Sequence, residues 1–239
     1  MTGSDAQDDG SWTGEEEIVE DIFEAIMEQR LPPGMKLSES ALCEAFGVGR
    51  MRIRRCLLLL ASREIVVLHA NRGAYVASPN ARQAGEVFEA RLALEPGIAR
   101  LAVERATMAD FTRLEQHLAQ EHDAHEAGQR REAIRLSGQF HNMLAEIAGN
   151  SVMLRMVKEL IARTSLVIGI FGAPGMSNCR DDHHARIVQS IRDRDADLAA
   201  RLMAEHLVEI QDNLDLQSPE AAPLDLLSIL KRQPSQRGV

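Results

Sequence analysis

From residue 84 to about residue 216 the chain offers helix after helix and no strand. Apolar residues recur at three- and four-residue spacing along this stretch. Breaks near Thr107, Gly128, Asn150, 172–178 and Arg194 divide it into roughly six helices. Gly149–Asn150 reads as a helix C-cap, and APGMSN (173–178) as a loop. So much helical pattern can be buried only by packing helix on helix. The fold class is therefore mainly α, with an all-helical bundle as its larger part. Aromatic residues make up only 3% of the 239, against 45% hydrophobic in total, so aliphatic side chains must fill the core.

The stretch before residue 84 is organised differently. Ile18, Ile22, Ile26 and Leu31 predict a first helix of about three turns, stopped by LPPG (31–34). Ser38 or Ser40 can cap a short second helix over 41–46, Gly47 makes a turn, and a third helix covers about 49–62. Two β-prone runs, 65–68 and 74–76, flank HANRG, a hairpin turn in which Gly73 is free to take positive φ. Three helices and a two-stranded hairpin outline a winged helix-turn-helix, which places its second motif helix in the DNA major groove. The expected organisation is a disordered acidic tail (1–17), the winged unit (18–78), a linker (79–83), the helical bundle (84–216) and a C-terminal tail (217–239). LDLLSIL in that tail is a candidate docking helix.

The formal net charge of −9 argues against general attraction to nucleic acid, but the charge is unevenly spread. The first 17 residues hold six acids and no base, whereas 47–55 hold four arginines and no acid. On the third helix, Ile53, Cys56, Leu57 and Leu60 fall at i, i+3, i+4 and i+7 and form one buried stripe. Met51, Arg52, Arg54 and Arg55 point away from it, and Arg50 lies at its edge. An arginine fork can bond guanine O6 and N7 together or hold a phosphate. Arg72, beside Gly73 at the hairpin tip, can reach the minor groove or a phosphate. The plainer alternative is a solvated cationic face paired with neighbouring acids. Leu58 and Leu59 fall on the other side of the helix from the stripe, and are expected to pack against another part of a dimer, such as the linker or the bundle.

These residues resemble GntR-type bacterial transcription regulators. The family runs from Pro-Gly through Leu-x-Glu and Val-Ser-Arg-Thr-Pro-Val-Arg-Glu-Ala-Leu to an Arg-Gly-x-x-Val wing. Pro33, Gly34, Leu37, Glu39, Val48, Arg50, Arg54, Leu57, Arg72, Gly73 and Val76 match it. Gly49 stands for serine, Met51 for threonine, Arg52 for proline, Arg55 for glutamate and Glu64 for a usual glycine. The resemblance implies DNA contacts by Arg50 and Arg54, with Gly49, Met51 and Arg52 at neighbouring contact positions. The departures imply a changed operator preference and a steeper salt dependence.

EVFEARLALEPGIARLA (86–102), FHNMLAEIAGN (140–150) and HARIVQSIRDRDADLAARLMAEHL (184–207) resemble the FadR-type ligand-binding domain, FCD. His141, His184 and His206 occupy that family's ligand positions. Histidines converging from three helices suit Zn²⁺, Ni²⁺ or Mn²⁺. The family's fourth ligand, an Asp one turn before the first histidine, is Ser137 here, which implies a weaker site with room for water or an effector carboxylate. The metal-free alternative is a polar effector pocket. Arg91 can pair with Glu95, its i+4 neighbour, or anchor an effector carboxylate. His117, His122, His125 and His183 read as surface residues.

The expected protein is a homodimeric transcription regulator, a repressor more often than an activator in such families. It would bind a pseudo-palindromic double-stranded operator and respond to a small organic acid through Arg91, Ser137 and the three histidines. Cys43, Cys56 and Cys179, without CxxC spacing, fit a reduced cytoplasmic compartment. No secretory signal and no stretch near the ~18 apolar residues of a membrane span is visible. The rivals are a metal-dependent enzyme, for which no carboxylate is clearly placed beside the histidines as a base, and an effector-independent DNA-binding dimer.

Overall fold

The computed structural model describes residues 14–172 and 182–216. Expectations for 1–13, the 173–178 loop and the tail from 217, including LDLLSIL, lie outside the described residues. Helix α1 (Glu15–Met27) is followed by strand β1 (Lys36–Leu37), helices α2 (Glu39–Phe46) and α3 (Arg50–Ser62), and strands β2 (Val66–His69) and β3 (Gly73–Val76). The bundle comprises α4 (Ala81–Arg105), α5 (Met108–Glu126), α6 (Arg130–Ile147), α7 (Ser151–Phe171), α8 (His183–Arg192) and α9 (Ala196–Asp212). These six helices break where the sequence says they should.

Local chemistry explains the boundaries. Glu15, Glu16 and Glu17, read above as tail, form the first turn of α1, where the helix dipole favours acids. Glu17 also accepts a hydrogen bond from the Gly14 N–H at 3.0 Å. Ser38, rather than Ser40, caps α2, and Gly47 ends it at φ 65°. Asn80 and Gln83 cap each other's backbone at the start of α4, so this helix begins inside the stretch 79–83.

The wing has three strands, in the order β1-β3-β2, all antiparallel. The third strand, Lys36–Leu37, is only two residues long and carries no periodicity to read. In the hairpin Val66 faces Val76 and His69 faces Gly73, which takes φ 90°.

One continuous apolar core runs from α1 and α3 into the bundle. Helix α4 lies centrally in the bundle, against α6, α7, α8 and α9, while α1 seats the winged unit on α7. Gln29, just after α1, strengthens that seat: its side-chain Nε2 donates to the Ser165 carbonyl at 3.1 Å. Pro33 packs 3.3 Å from the Cβ position of Gly169. Among the described residues no helix is long and apolar enough to cross a membrane.

Candidate functional site

Helix α3 starts at Gly49, whose extended backbone turns the chain into the helix without a side-chain cap. Ile53, Cys56, Leu57 and Leu60 are at most 2% exposed, and this buried stripe fixes the rotation of α3. Arg50, Met51, Arg54 and Arg55 are consequently exposed, and Arg52 is half-buried. Arg72 is exposed at the hairpin tip, and Arg54 and Gly73 line one groove between α3 and the wing. Arg54 donates to Glu39 at 2.9 Å, and Arg55 to Glu15 at 2.9 Å. Arg55, which departs from the family pattern, thus reaches back to α1.

The expectation for the two outer leucines fails. Leu58 is 57% and Leu59 45% exposed. The winged unit meets the bundle through α1 and the segment after α3, so the outer face of α3 has neither the linker nor the bundle over it.

The structure brings the three bundle histidines together. His141 lies on α6, His184 on α8 and His206 on α9, and all three are at most 4% exposed. The Nε2 atoms of His184 and His206 are 3.0 Å apart, and those of His206 and His141 3.2 Å. Phe140 stacks on His184 with ring centroids 3.9 Å apart. Ser137, one turn before His141, lines a cavity of about 30 Å³ together with Arg91, His141 and Thr164.

Two glutamates back these rings. Glu95 Oε2 lies 2.5 Å from His141 Nδ1, and Glu121 Oε2 lies 2.8 Å from His184 Nδ1. Carboxylates that the sequence reading did not place therefore stand beside the histidines. They sit at Nδ1, on the far side from the facing Nε2 atoms, where they orient the rings. Arg91 is 1% exposed and its Nε donates to Glu95 Oε1 at 2.5 Å, while Nη1 donates to Thr164 at 3.3 Å. Of its two sequence-stated roles, the pair with Glu95 is formed, and the guanidinium also lines the cavity.

Burial raises the Glu95 carboxyl, but Arg91 and His141 outweigh it and hold the group at about 2. Burial likewise raises Glu121, and the charge of His184 with a hydrogen bond from His117 brings it to about 2. Burial is the chief cause that lowers His141 to about 4, with Glu95 opposing it. Burial, then the neighbouring His184 and His141, lowers His206 well below the usual imidazole range. The shifts of His141 and His206 favour neutral rings at these two positions, the form that binds metal.

The residues fit a metal ion. One donor atom from each histidine falls within a 4.8 Å group. Ligands at 2.0–2.1 Å around a tetrahedral ion stand roughly 3.3 Å apart, close to the two Nε2 separations here. Carboxylates at Nδ1 are the usual outer support of such ligands. The three-histidine group could hold a metal.

Three further histidines correct the sequence reading. His117 is 4% exposed rather than on the surface, its Nε2 lying 2.9 Å from the Leu136 carbonyl and 3.4 Å from Glu121. His125 is half-buried and lines the small cavity. His183 is half-buried, with Nε2 3.2 Å from Glu209. The role of Glu121 was missed, although His117 and Glu121 at i and i+4 share a helix face and gave a local signal.

Comparison with known proteins agrees with this architecture. Residues 86–209 match the FCD domain, and residues 15–76 match the bacterial regulatory proteins of the gntR family. The HTH-type transcriptional repressor RspR of Escherichia coli (strain K12) is 28% identical over 185 residues, covering 77% of this chain and 81% of that protein. The solved structure of E. coli McbR/YncC superposes with a TM-score of 0.73 at 20% identity, covering 83% of this chain and 94% of that one. A GntR-type regulator from Rhodococcus sp. RHA1 superposes with a TM-score of 0.74 at 19% identity, covering 86% and 99%. With both matched segments folded as a reader and a bundle, the chain belongs to the FCD-domain branch of the gntR family and is a DNA-binding transcription regulator.

Proposed function

We propose that the chain works as a cytoplasmic homodimer, repressing genes from a pseudo-palindromic operator until a small organic acid enters the bundle beside a metal on His141, His184 and His206. Gly49, Arg50, Met51, Arg52 and Arg54 face the major groove in this reading, and Arg72 with Gly73 brings the wing to the flanking backbone or minor groove. The arginines of α3 project from a helix whose rotation is fixed by its buried stripe, which is what a groove reader needs.

The observation that carries the sensing role is the position of α7. Ile161, Thr164 and Ile168 line the small cavity, and Ser165 on the same helix accepts the hydrogen bond from Gln29 of the winged unit. The cavity is so tight that a carboxylate entering it must move its walls, and α7 is one of them. A ligand acts by favouring one arrangement of the two winged units over another.

Charge supports an anionic ligand. Arg91, Glu95 and Glu121 together carry one net negative charge. A divalent ion on neutral imidazoles would turn this to one net positive charge, which a monocarboxylate balances. Bound metal would supply a cationic anchor for that carboxylate, while Arg91 and Thr164 orient it and Ser137 leaves the space that an Asp ligand would fill. The reactivity of metal-bound water has no part in this reading.

Selection from a random duplex pool tests the whole. The expected product is a pseudo-palindrome with half-sites about one helical turn apart. Its affinity should fall steeply between about 50 and 200 mM salt. Zinc and a panel of small carboxylic acids should shift both the melting temperature and operator affinity, and His206→Ala should abolish the zinc effect. A protein that selects no sequence sinks the reading.

A further inference from the structure

A cleft of about 510 Å³ separates the winged unit from the bundle, and none of the three histidines or the α3 arginines lines it. One wall comes from the segment after α3 and from β2, with Glu64, Val67 and Leu68. The other comes from α4 and α7, with Ala90, Leu160 and Arg163. The cavity beside the histidines measures about 30 Å³, room for an ion and a water or two. The cleft has the volume of a small-molecule pocket, and such pockets favour the junctions between units.

Three features define its chemistry. Val67 and Leu68 leave large apolar side chains exposed in the wall, at 42% and 44%. Arg163 gives Nη1 to Glu64 at 3.0 Å and Nη2 to the Arg63 carbonyl at 3.4 Å, but its buried Nε has no hydrogen-bond partner. A buried donor left without an acceptor is unfavourable, so this atom calls for an incoming oxygen. Glu64 holds φ 58°, a backbone region that disfavours any residue with a side chain. Its side chain is 70% exposed, and exposed ion pairs are weak. Glu64 can therefore leave Arg163 for water at little cost.

The geometry points to a second ligand site: the cleft takes a small molecule with an apolar body and an anionic head group, which replaces Glu64 at Arg163 and accepts from its buried Nε–H. Because Glu64 belongs to the winged unit and Arg163 to α7, binding exchanges a link between the two units for a link to the ligand. This input loosens the DNA-reading unit without using the histidine cluster, and it stands independently of the metal and effector reading above.

Anilinonaphthalene sulfonate, an aromatic body with a sulfonate, is a suitable probe for titration against the full chain by fluorescence. The expected result is one saturable site that weakens about tenfold in Arg163→Gln, through loss of a charge-assisted hydrogen bond. Binding should tighten in Glu64→Gln, which removes the competing carboxylate, and disappear in Ala90→Phe, which fills the cleft. Circular dichroism at native helix content separates these losses from unfolding, because an unfolded chain also lacks the cleft. Added zinc should leave dye binding unchanged. Dye binding insensitive to both Arg163→Gln and Ala90→Phe, or abolished by zinc instead, overturns the cleft site.

Discussion

Arg54 and Arg91 each pair with a glutamate, yet their surroundings give the two pairs different work. The Arg54–Glu39 pair stands on the surface of the winged unit, with the arginine side chain 56% exposed. Water screens such a pair, and either partner can be released toward a phosphate or base at little cost. The Arg91–Glu95 pair is 2% exposed on both sides and extends to His141 and Thr164. There each charge depends on the other, because neither has water to turn to. The winged unit keeps its functional groups available, whereas the bundle keeps its groups in a fixed constellation.

The largest test of this contrast is Arg91→Met. It leaves Glu95 buried without its main counter-charge, and breaking one side of a buried pair costs about 3–5 kcal/mol. Urea unfolding monitored by circular dichroism should show that loss. A stability like that of the native chain would mean water reaches the pair and the contrast is false.

Acid should separate the regions next, in protein stripped of metal. The unfolded His141 titrates near its ordinary 6.5 and the folded one at about 4, so the unfolded state takes up the proton first. The stability due to neutral His141 is present above pH 6.5 and is lost as pH falls towards 4. The loss is on the order of 2–3 kcal/mol. His206 adds in the same direction. Glu95 and Glu121, held at about 2, contribute stability that is present above their unfolded value of 4.5 and is lost between there and 2. Urea midpoints at pH 7.5 and 4.5 check the first window, and a flat profile across it would show that the imidazoles are not buried as neutral rings.

Gly138→Ala probes the bundle's packing at a smaller scale. A Cβ there would stand 2.7 Å from Ile161 Cγ2 and 3.4 Å from Met27 Cε. Ile161 is β-branched and buried, so it cannot easily turn aside. The overpacking should cost about 1–3 kcal/mol. It should also disturb the seat of α1 on α7, so operator affinity should change along with the melting temperature. Arg54→Gln should do the reverse: stability hardly changes, while operator affinity falls roughly tenfold through loss of a bidentate contact. Equal operator binding by Arg54→Gln and the native chain would remove this arginine from the reading surface.

The winged unit and the helix count were legible because their signals are local. The stripe at Ile53, Cys56, Leu57 and Leu60, the stop at LPPG and the turn at Gly47 each depend on a few neighbouring residues. The convergence of His141, His184 and His206 was available only through resemblance, since nothing local joins positions on three helices. Glu121 and His117 looked like residues of a polar helix face, and packing against α6 and α8 buried them. Strand β1 escaped notice because two residues define no period, and its partner β3 lies far along the chain. Glu64 stands where the family has a usual glycine, and its φ of 58° is a region that glycine takes without a steric cost, a constraint the sequence reading did not draw from it.

Leu58 and Leu59 should give the smallest effect, and they bear on whether the winged unit's outer face is complete. Neither belongs to the buried stripe, and Leu58 borders the groove shared by Arg54 and Gly73. Replacing both with serine should change the stability of the dilute protein by less than about 0.5 kcal/mol, the usual range for surface positions. Their exposed apolar area would then serve only contacts made outside the single chain, and DNA is one such surface through its thymine methyls. The decisive comparison is between dilute and concentrated protein. A loss above about 1 kcal/mol that grows with concentration would place these leucines against a second copy, because association stabilises by mass action. That result would move the outer face of α3 out of the freely available class in which Arg54 stands, and it would tie DNA reading to assembly.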